Sequence, residues 1–353
     1  MVRKGDTLSG IARRFAVTLR NILAANPQIK DPSLIHVGDA IRIPAAYLPT
    51  LGGSGTSPQD INNRGQIVGS SGTPSGTAHA VLIDGGKITD LGTLGGGWSE
   101  ALVVNEEGQV VGWSWTKSGD EHAFIWKDGV MTDLGEYSGS LDSKDINNRG
   151  QIVTAQDYIW QDGVKIRLGT LGGGYSSASA INDLGQVVGS STTKSGDEHA
   201  FIWQDGTMTD LGTLGGEWSG AVAVNDRGQV VGSSATKSGD AHAFIWQDGV
   251  MRDLGTLGGS YSHASAVNDL GQVVGSRTTQ SGDTHAFIWQ DGVMKDLGTL
   301  GGIVELSAGT PAINDLGQVL GWSTTKSGDT HAFLWQDGVM TDLGPLAPGR
   351  PCG

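Results

Sequence analysis

Six histidines recur at one place in a repeating pattern: His79, His122, His199, His242, His285 and His331. Five of them have an aspartate two residues upstream, Asp120, Asp197, Asp240, Asp283 and Asp329. Imidazole beside carboxylate is the pairing used in general acid–base chemistry and in metal ligation. A catalytic centre, however, gathers different groups once, at one place. A residue repeated at the same point of almost every copy serves a need that every copy has, and we read the histidine as making a hydrogen bond that fixes a hairpin. The Asn-Asp-x-Gly turns lack the further carboxylates that a calcium loop requires. No single carboxylate pair or nucleophile stands out from the repeats. The expectation is therefore no catalytic residue, no metal site, no cofactor, and a chain that is not an enzyme.

The repeats that carry these histidines must position them. The segment VNDLGQVVGS and its variants place an asparagine at 62, 105, 147, 182, 225, 268 and 314, spaced by 43, 42, 35, 43, 43 and 46 residues. Residues 211–254 serve as the template. Ala221 to Val224 reads as a strand and Asn225-Asp226-Arg227-Gly228 as a turn, with glycine placed for positive φ. Gln229 to Ala235 reads as a second strand and His242 to Trp246 as a third. Asp248-Gly249 is a two-residue hairpin pattern, and Val250 to Leu254 makes a fourth strand. His242, Phe244 and Trp246 share one face, Ala243 and Ile245 the other, so both faces suit burial between neighbouring sheets. Four strands in about 43 residues is the length of a propeller blade. The expected fold is mainly β: a seven-bladed β-propeller of four-stranded blades. A linear β-solenoid is the runner-up, but it has shorter coils and needs terminal caps. Whether the ring closes by exchanging a strand between its ends stays open.

Differences between copies mark loops and candidate sites. The third copy lacks eight residues between Gln151 and Trp160 and has no histidine; the seventh gains three between Ile303 and Pro311. After LGTLGG come Trp98, Tyr175, Trp218 and Tyr261, next to the varying Glu100, Ser177, Gly220 and His263. In a rim loop these rings would form platforms for stacking on sugars, or else cover the seams between blades. The recurring Trp126, Trp160, Trp203, Trp246, Trp289 and Trp335 read as core anchors. Trp113, Trp115 and Trp322 replace small residues and read as exposed binding residues or drift.

Charge divides the chain. Residues 1–44 carry seven Lys or Arg against three Asp, a balance of +4, and the remainder carries −18 of the total −14. So acidic a body would repel phosphate, which argues against nucleic acid; the basic head suits an anionic polymer such as a bacterial wall. Hydrophobic content of 37% and 58 glycines fit a turn-rich β protein. No apolar run approaches the roughly 18 residues of a membrane span, so no membrane insertion is expected. The first residues lack the apolar core of a secretory signal. One cysteine, Cys352, permits no intrachain disulfide.

Residues 2–44 read as strand, helix, helix, strand. Asp6-Thr7 caps a helix running to about Phe15, with Leu8, Ile11, Ala12 and Phe15 on one face. Thr18 caps a second helix through Ala25, which Asn26-Pro27 ends, and Ala40 to Ile43 returns as a strand. These residues carry a resemblance. Gly5-Asp6-Thr7-Leu8, Ala25-Asn26-Pro27-Gln28-Ile29, Leu34-Ile35 with Gly38, and Ile41-Arg42-Ile43-Pro44 make the segment similar to a LysM domain, departing only at its extreme start. The resemblance implies a small βααβ fold that binds N-acetylglucosamine polymers, peptidoglycan or chitin. It also implies a shallow groove between two loops, Gly5, Asp6, Thr7, Leu8 and Ser9 on one side and Asn26, Pro27, Gln28 and Ile29 on the other. Backbone N–H groups at the helix start would hold an acetamide carbonyl, and Leu8 and Ile29 would meet its methyl group. The later repeats, with His122-Ala123-Phe124 and its counterparts, resemble the HAF family of extracellular repeats.

The sequence thus divides into residues 1–44, a LysM-like glycan-binding domain; 45–49, a linker; and 50–353, the repeat array. The expected function is non-enzymatic carbohydrate binding at the cell envelope, extracellular or associated with a wall or spore. The head would bind the glycan, and the propeller would act as a scaffold for another envelope protein or glycan. The alternatives are a LysM-targeted glycan hydrolase or lyase with its active site on the propeller, and a purely structural or engineered repeat protein.

Overall fold

The structure, a computed structural model, describes residues 2, 7–14, 19, 22, 23, 26, 28, 29, 31–36, 39, 41 and 48–345, apart from 54, 137–144, 154–156, 162, 257, 281 and 305–310. The described part is mainly β, with 29 strands and one short helix. In the template copy four antiparallel strands follow in chain order, Gly215–Val224, Val230–Thr236, Ala241–Gln247 and Val250–Asp253. Valine, isoleucine and aromatic residues dominate their buried faces, as a sheet covered on both sides requires. The tight turn between the last two strands has Asp248 at φ 52° and Gly249 at φ 84°, the two positive angles of a type I′ turn that continues the twist of its strands.

The first strand starts six residues earlier than its side chains suggest. Gly215 already pairs with Thr236, with irregular register before Ser219. Glycine has weak strand preference, so the sequence hides this stretch, and the rim aromatics stand on a strand rather than in a loop. A second irregularity lies between Ala221 and Ala223. There Gly232 passes so close to the Gly220 carbonyl that a Cβ would come within 2.0 Å of the oxygen, which only glycine avoids.

Neighbouring units meet in parallel, third strand against next first strand, as in Ala78 with Trp98 and Ala241 with Tyr261. These single bridges join two pairs of four-stranded units into eight-stranded sheets. Apolar clusters fill the seams. Phe244 of one unit packs with Ala180, Val188, Ala200 and Leu211 of the unit before it, flanked by the partly buried Trp246. Phe124, Phe201, Phe244, Phe287 and Phe333 are fully buried, each contributing on the order of 2–3 kcal/mol.

The last unit closes on the first. Leu320, Trp322, Leu334 and Leu343 pack with Leu48, Ile61, Ile67 and Ile83, and the Leu48 N–H donates to the Leu343 carbonyl at 2.8 Å. Leu48, expected in the linker, is part of this core. The first unit takes its strands from Thr56–Ile61, Ile67–Gly72, Ala78–Asp84 and Lys87–Gly92. The last takes Val319–Thr325, Thr330–Gln336 and Val339–Pro345, preceded by Gly301–Val304 and Ala312–Ile313. Among the described residues no strand is exchanged. The third unit has short strands, with Ile152 opposite Trp160, as its deletion implies.

In the head the helix is Leu8–Arg14. Thr7 caps it, its hydroxyl accepting the Gly10 N–H at 3.0 Å. Val2, Leu8, Ile11 and Ile22 form its core, and the Val2 N–H donates to the Asp39 carbonyl at 2.9 Å. Phe15, Thr18 and most of the expected second helix lie outside the described residues.

Candidate functional site

The two head loops are only partly described. Gly5, Asp6 and Pro27 fall outside the described residues. Thr7, Ser9 and Gln28 are exposed, and Ile29 is half-buried. Leu8, expected to meet a ligand methyl, is 1% exposed and belongs to the core instead. Asn26 is buried too; its amide donates to the Ile22 carbonyl at 2.7 Å and its carbonyl accepts from the Gln28 amide at 3.2 Å. Asn26 therefore shapes its loop, which leaves Thr7, Ser9, Gln28 and Ile29 as the described side chains available to a ligand.

The axis of the array carries a closed circuit of hydrogen bonds. Each repeat asparagine donates from Nδ2 to the backbone carbonyl of the next one: 62 to 105, 105 to 147, 147 to 182, 182 to 225, 225 to 268, 268 to 314, and 314 back to 62, at 2.8–3.1 Å. Asn225 shows why aspartate would not serve. Its second amide hydrogen goes to Gln229 at 2.8 Å, and its carbonyl accepts the Arg227 and Gln229 N–H groups. All its hydrogen-bonding capacity is used, and half of it is donation. Sequence reading took these asparagines for turn formers. Their presence in all seven copies, while the following residue varies, was the sign of a shared contact.

A second ring follows one residue on, in which backbone N–H groups donate to the next unit's side chain, as Asp183 does to Asp226 and Asp315 to Asn63. Every unit sets one carboxylate against the axis. In five units it is in this ring, Glu106, Asp183, Asp226, Asp269 and Asp315; where the ring residue is Asn63 or Asn148, Asp60 or Asp145 supplies it three residues earlier. The Asp60 carboxylate accepts the Val104 N–H and that of Asp145 the Ile181 N–H, each at 3.0 Å. Burial pushes Asp60 up to about 6 and, with Asp60 nearby, Asp145 up to about 7. Burial also raises Glu106, Asp226 and Asp269. These residues line a 230 Å³ recess. Among the described residues no group of three or more His, Cys, Asp or Glu is arranged to hold a metal ion.

The recurring histidines do fix hairpins, but through a different aspartate. Each Nδ1 bonds to the aspartate eleven residues downstream, across the hairpin: His79 to Asp90, His122 to Asp133, His199 to Asp210, His242 to Asp253, His285 to Asp296 and His331 to Asp342, at 2.6–3.0 Å. The upstream Asp240 accepts from the Ser238 hydroxyl instead. Asp253 also accepts the Gly255 N–H at 2.7 Å, so one carboxylate ties the third strand to the corner after the fourth. In the third unit Arg167 takes the aspartate's place and lies 3.8 Å from Asp157.

The four rim aromatics divide. Tyr175, Trp218 and Tyr261 are 54%, 42% and 38% exposed, whereas Trp98 is half-buried with its ring 6.3 Å from that of Trp115. Trp113 and Trp322, read as exposed residues or drift, are 6% and 1% exposed and fill space inside the array. Trp218 and Tyr261, on adjacent units, line a 290 Å³ cleft together with Gly220, Ser233 and His263. Burial pushes the His263 imidazole below its ordinary value, favouring its neutral form.

With these features placed, the head can be compared with known proteins. Residues 1–44 match the LysM domain. Over 43 residues the chain is 44% identical to the endolysin of Bacillus phage B103, covering 12% of this chain and 16% of that protein. Over 40 residues it is 48% identical to the secreted LysM effector ECP6 of Passalora fulva, covering 11% and 18%. The match thus spans less than a fifth of either relative. Solved structures similar to the array include the β-propeller domain of the trilobed protease from Pyrococcus furiosus, with TM-score 0.57 and 13% identity over 83% of this chain and 99% of that one. An acylaminoacyl peptidase from Pyrococcus horikoshii gives 0.54 at 13%, over 82% and 52%, and a puromycin-hydrolyzing peptidase from Mycobacterium tuberculosis 0.53 at 12%, over 83% and 54%. At such identity the likeness concerns fold: the array is propeller-like. It also corrects the expectation that the chain is not an enzyme. That expectation rested on repeats leaving no one-off constellation, yet this fold recurs in peptidases, so repetition is no ground for excluding catalysis.

Proposed function

We propose that the chain is a glycan-targeted protein of the cell envelope, in which residues 1–44 hold an N-acetylglucosamine polymer and the array is a seven-bladed propeller presenting a second binding surface. The match of residues 1–44 to the LysM domain carries this reading. Its relatives, a secreted effector and phage endolysins, favour a place outside the cell or at a wall. The basic head suits the anionic polymer, and the −18 charge of the rest keeps the array from collapsing onto it. No described helix is long and apolar enough to cross a membrane. Each repeat copy serves as one blade, and the asparagine circuit joins them.

The test is retention of the full chain on insoluble peptidoglycan and on chitin. Retention on at least one, weakened several-fold by Ser9→Ala with Gln28→Ala, is the expected result; passage through both unretained sinks the reading. The shared fold of peptidase propellers favours a second reading, a hydrolase directed by its head. Reducing ends or free amines released from the retained polymer above a protein-free blank would establish it.

A further inference from the structure

The Trp218–Tyr261 cleft has a closed counterpart in the same chain. The first strand of the second unit carries Glu100 where Gly220 stands in the fifth, its second strand carries Trp113 where Ser233 stands, and the preceding unit carries Gln59 where Ser179 stands. There the three side chains bond to one another: the Gln59 amide donates to Glu100 Oε1 at 2.8 Å and the Trp113 indole N–H to Glu100 Oε2 at 3.1 Å. They form a plug across the seam. At the open seam the same three positions are serine, glycine and serine, and a Cβ on Gly220 would meet only Ser190, 4.0 Å away.

The open cleft has the chemistry of a ligand site. Ser233 lines the cleft, is 6% exposed, and its enclosed hydroxyl has no hydrogen-bond partner in the protein, a condition that costs about 1–3 kcal/mol. Ser179, Ser190 and His263 add polar groups, Ala221, Val222 and Ala241 add small apolar patches, and no residue lining the cleft carries a carboxylate, ammonium or guanidinium. Two exposed aromatic rings flank the opening. At 290 Å³ the space lies at the small end of ligand pockets, room for one ring rather than a chain. Aromatic faces, scattered hydroxyl partners and no formal charge suit a flat C–H face bordered by hydroxyls.

We propose that this cleft binds one uncharged pyranose residue of a glycan, stacked against Trp218 and bordered by Tyr261 and the serine side of the seam. The proposal rests on the reading of the array as a second binding surface and is independent of the head.

The experiment titrates the full chain with the methyl β-glycosides of N-acetylglucosamine, glucose, galactose and glucuronic acid, following heat or ligand-observed NMR. Three proteins are compared: the native chain, Trp218→Ala, and a plugged triple variant Ser179→Gln, Gly220→Glu, Ser233→Trp that copies the second unit. At least one uncharged glycoside is expected to bind the native chain, at least tenfold more weakly the Trp218→Ala chain, and the plugged chain no more than background. All three proteins should keep native melting temperatures and equal retention on chitin or peptidoglycan. Equal binding to all three proteins, no binding of any uncharged glycoside, or preference for the glucuronide overturns the proposal. Should the plug fail to fold, Trp218→Ala decides alone, since that ring is exposed. Loss of polymer retention with cleft binding intact would count against the head and leave the cleft standing.

Discussion

Two carboxyl groups in the axial recess set a pH dependence that runs opposite to the usual one. Asp60 and Asp145 are pushed up to about 6 and about 7 in the folded chain, above their value once unfolded. Between about pH 4 and 7 the folded state therefore holds protons that the unfolded state has released, and stability falls as pH rises through that window. Above it the folded chain bears the full cost of two enclosed charges, on the order of a few kcal/mol. The melting temperature should accordingly drop between pH 4.5 and 7.5. Asp60→Asn with Asp145→Asn should flatten that slope and raise the melting temperature at pH 7.5, because an amide oxygen can still accept from Val104 and Ile181. A double variant less stable than the native chain at pH 7.5 would contradict this account. Glu106, Asp226 and Asp269, raised in the same direction, leave a residual slope.

At the scale of the element, one corner of five units depends on a serine. Ser234 accepts the Leu214 N–H at 2.9 Å and donates to the Trp218 carbonyl at 3.2 Å, pinning the start of the first strand to the second. In the sixth unit this serine is Arg277, 0% exposed, with Nη2 3.4 Å from Asp296 and its nitrogens otherwise without hydrogen bonds. Burial lowers its pKa, the mark of a cation poorly accommodated. Arg277→Ser should restore the pin and raise the melting temperature by a few degrees, on the order of 1–2 kcal/mol; a decrease would mean that the ion pair outweighs the burial. The strands themselves were legible in the sequence wherever side chains alternate, as in His242 to Trp246, and where Asp-Gly fixed the turn. They were illegible at Gly215 to Ser219, where glycine has no side chain to alternate. For the same reason the cleft could not be seen: its defining feature is the missing side chain of Gly220 beside Trp218. The histidine's partner stayed unnamed because Asp253 is eleven residues away in sequence, and only the hairpin brings it across.

For the whole molecule, the decisive bonds are those that the chain does not provide covalently. Six of the asparagine contacts join units already connected by chain, whereas Asn314 to Asn62 and Leu48 to Leu343 hold together units at its two ends. Asn314→Ala removes two donated bonds and two accepted N–H bonds at the closing seam; Asn225→Ala removes the same set at an internal one. Both should destabilise by about 2–4 kcal/mol. Only Asn314→Ala should selectively speed hydrogen exchange in the first and last units, since opening there needs no other seam to part. Equal exchange patterns in the two variants would show that closure and internal seams are energetically alike.

The asparagine circuit runs in one sense all the way round, and its final link has the same donor, acceptor and length as the other six. By this criterion the ring has no beginning. Where the covalent chain enters and leaves is a matter of which inter-unit link is left open, and residues 48 and 343 already touch. Joining the ends there and reopening the chain between the fourth and fifth units, after Thr213, would give a circular permutant with every axial bond retained. The head, tethered to one seam among seven, could then be carried by another.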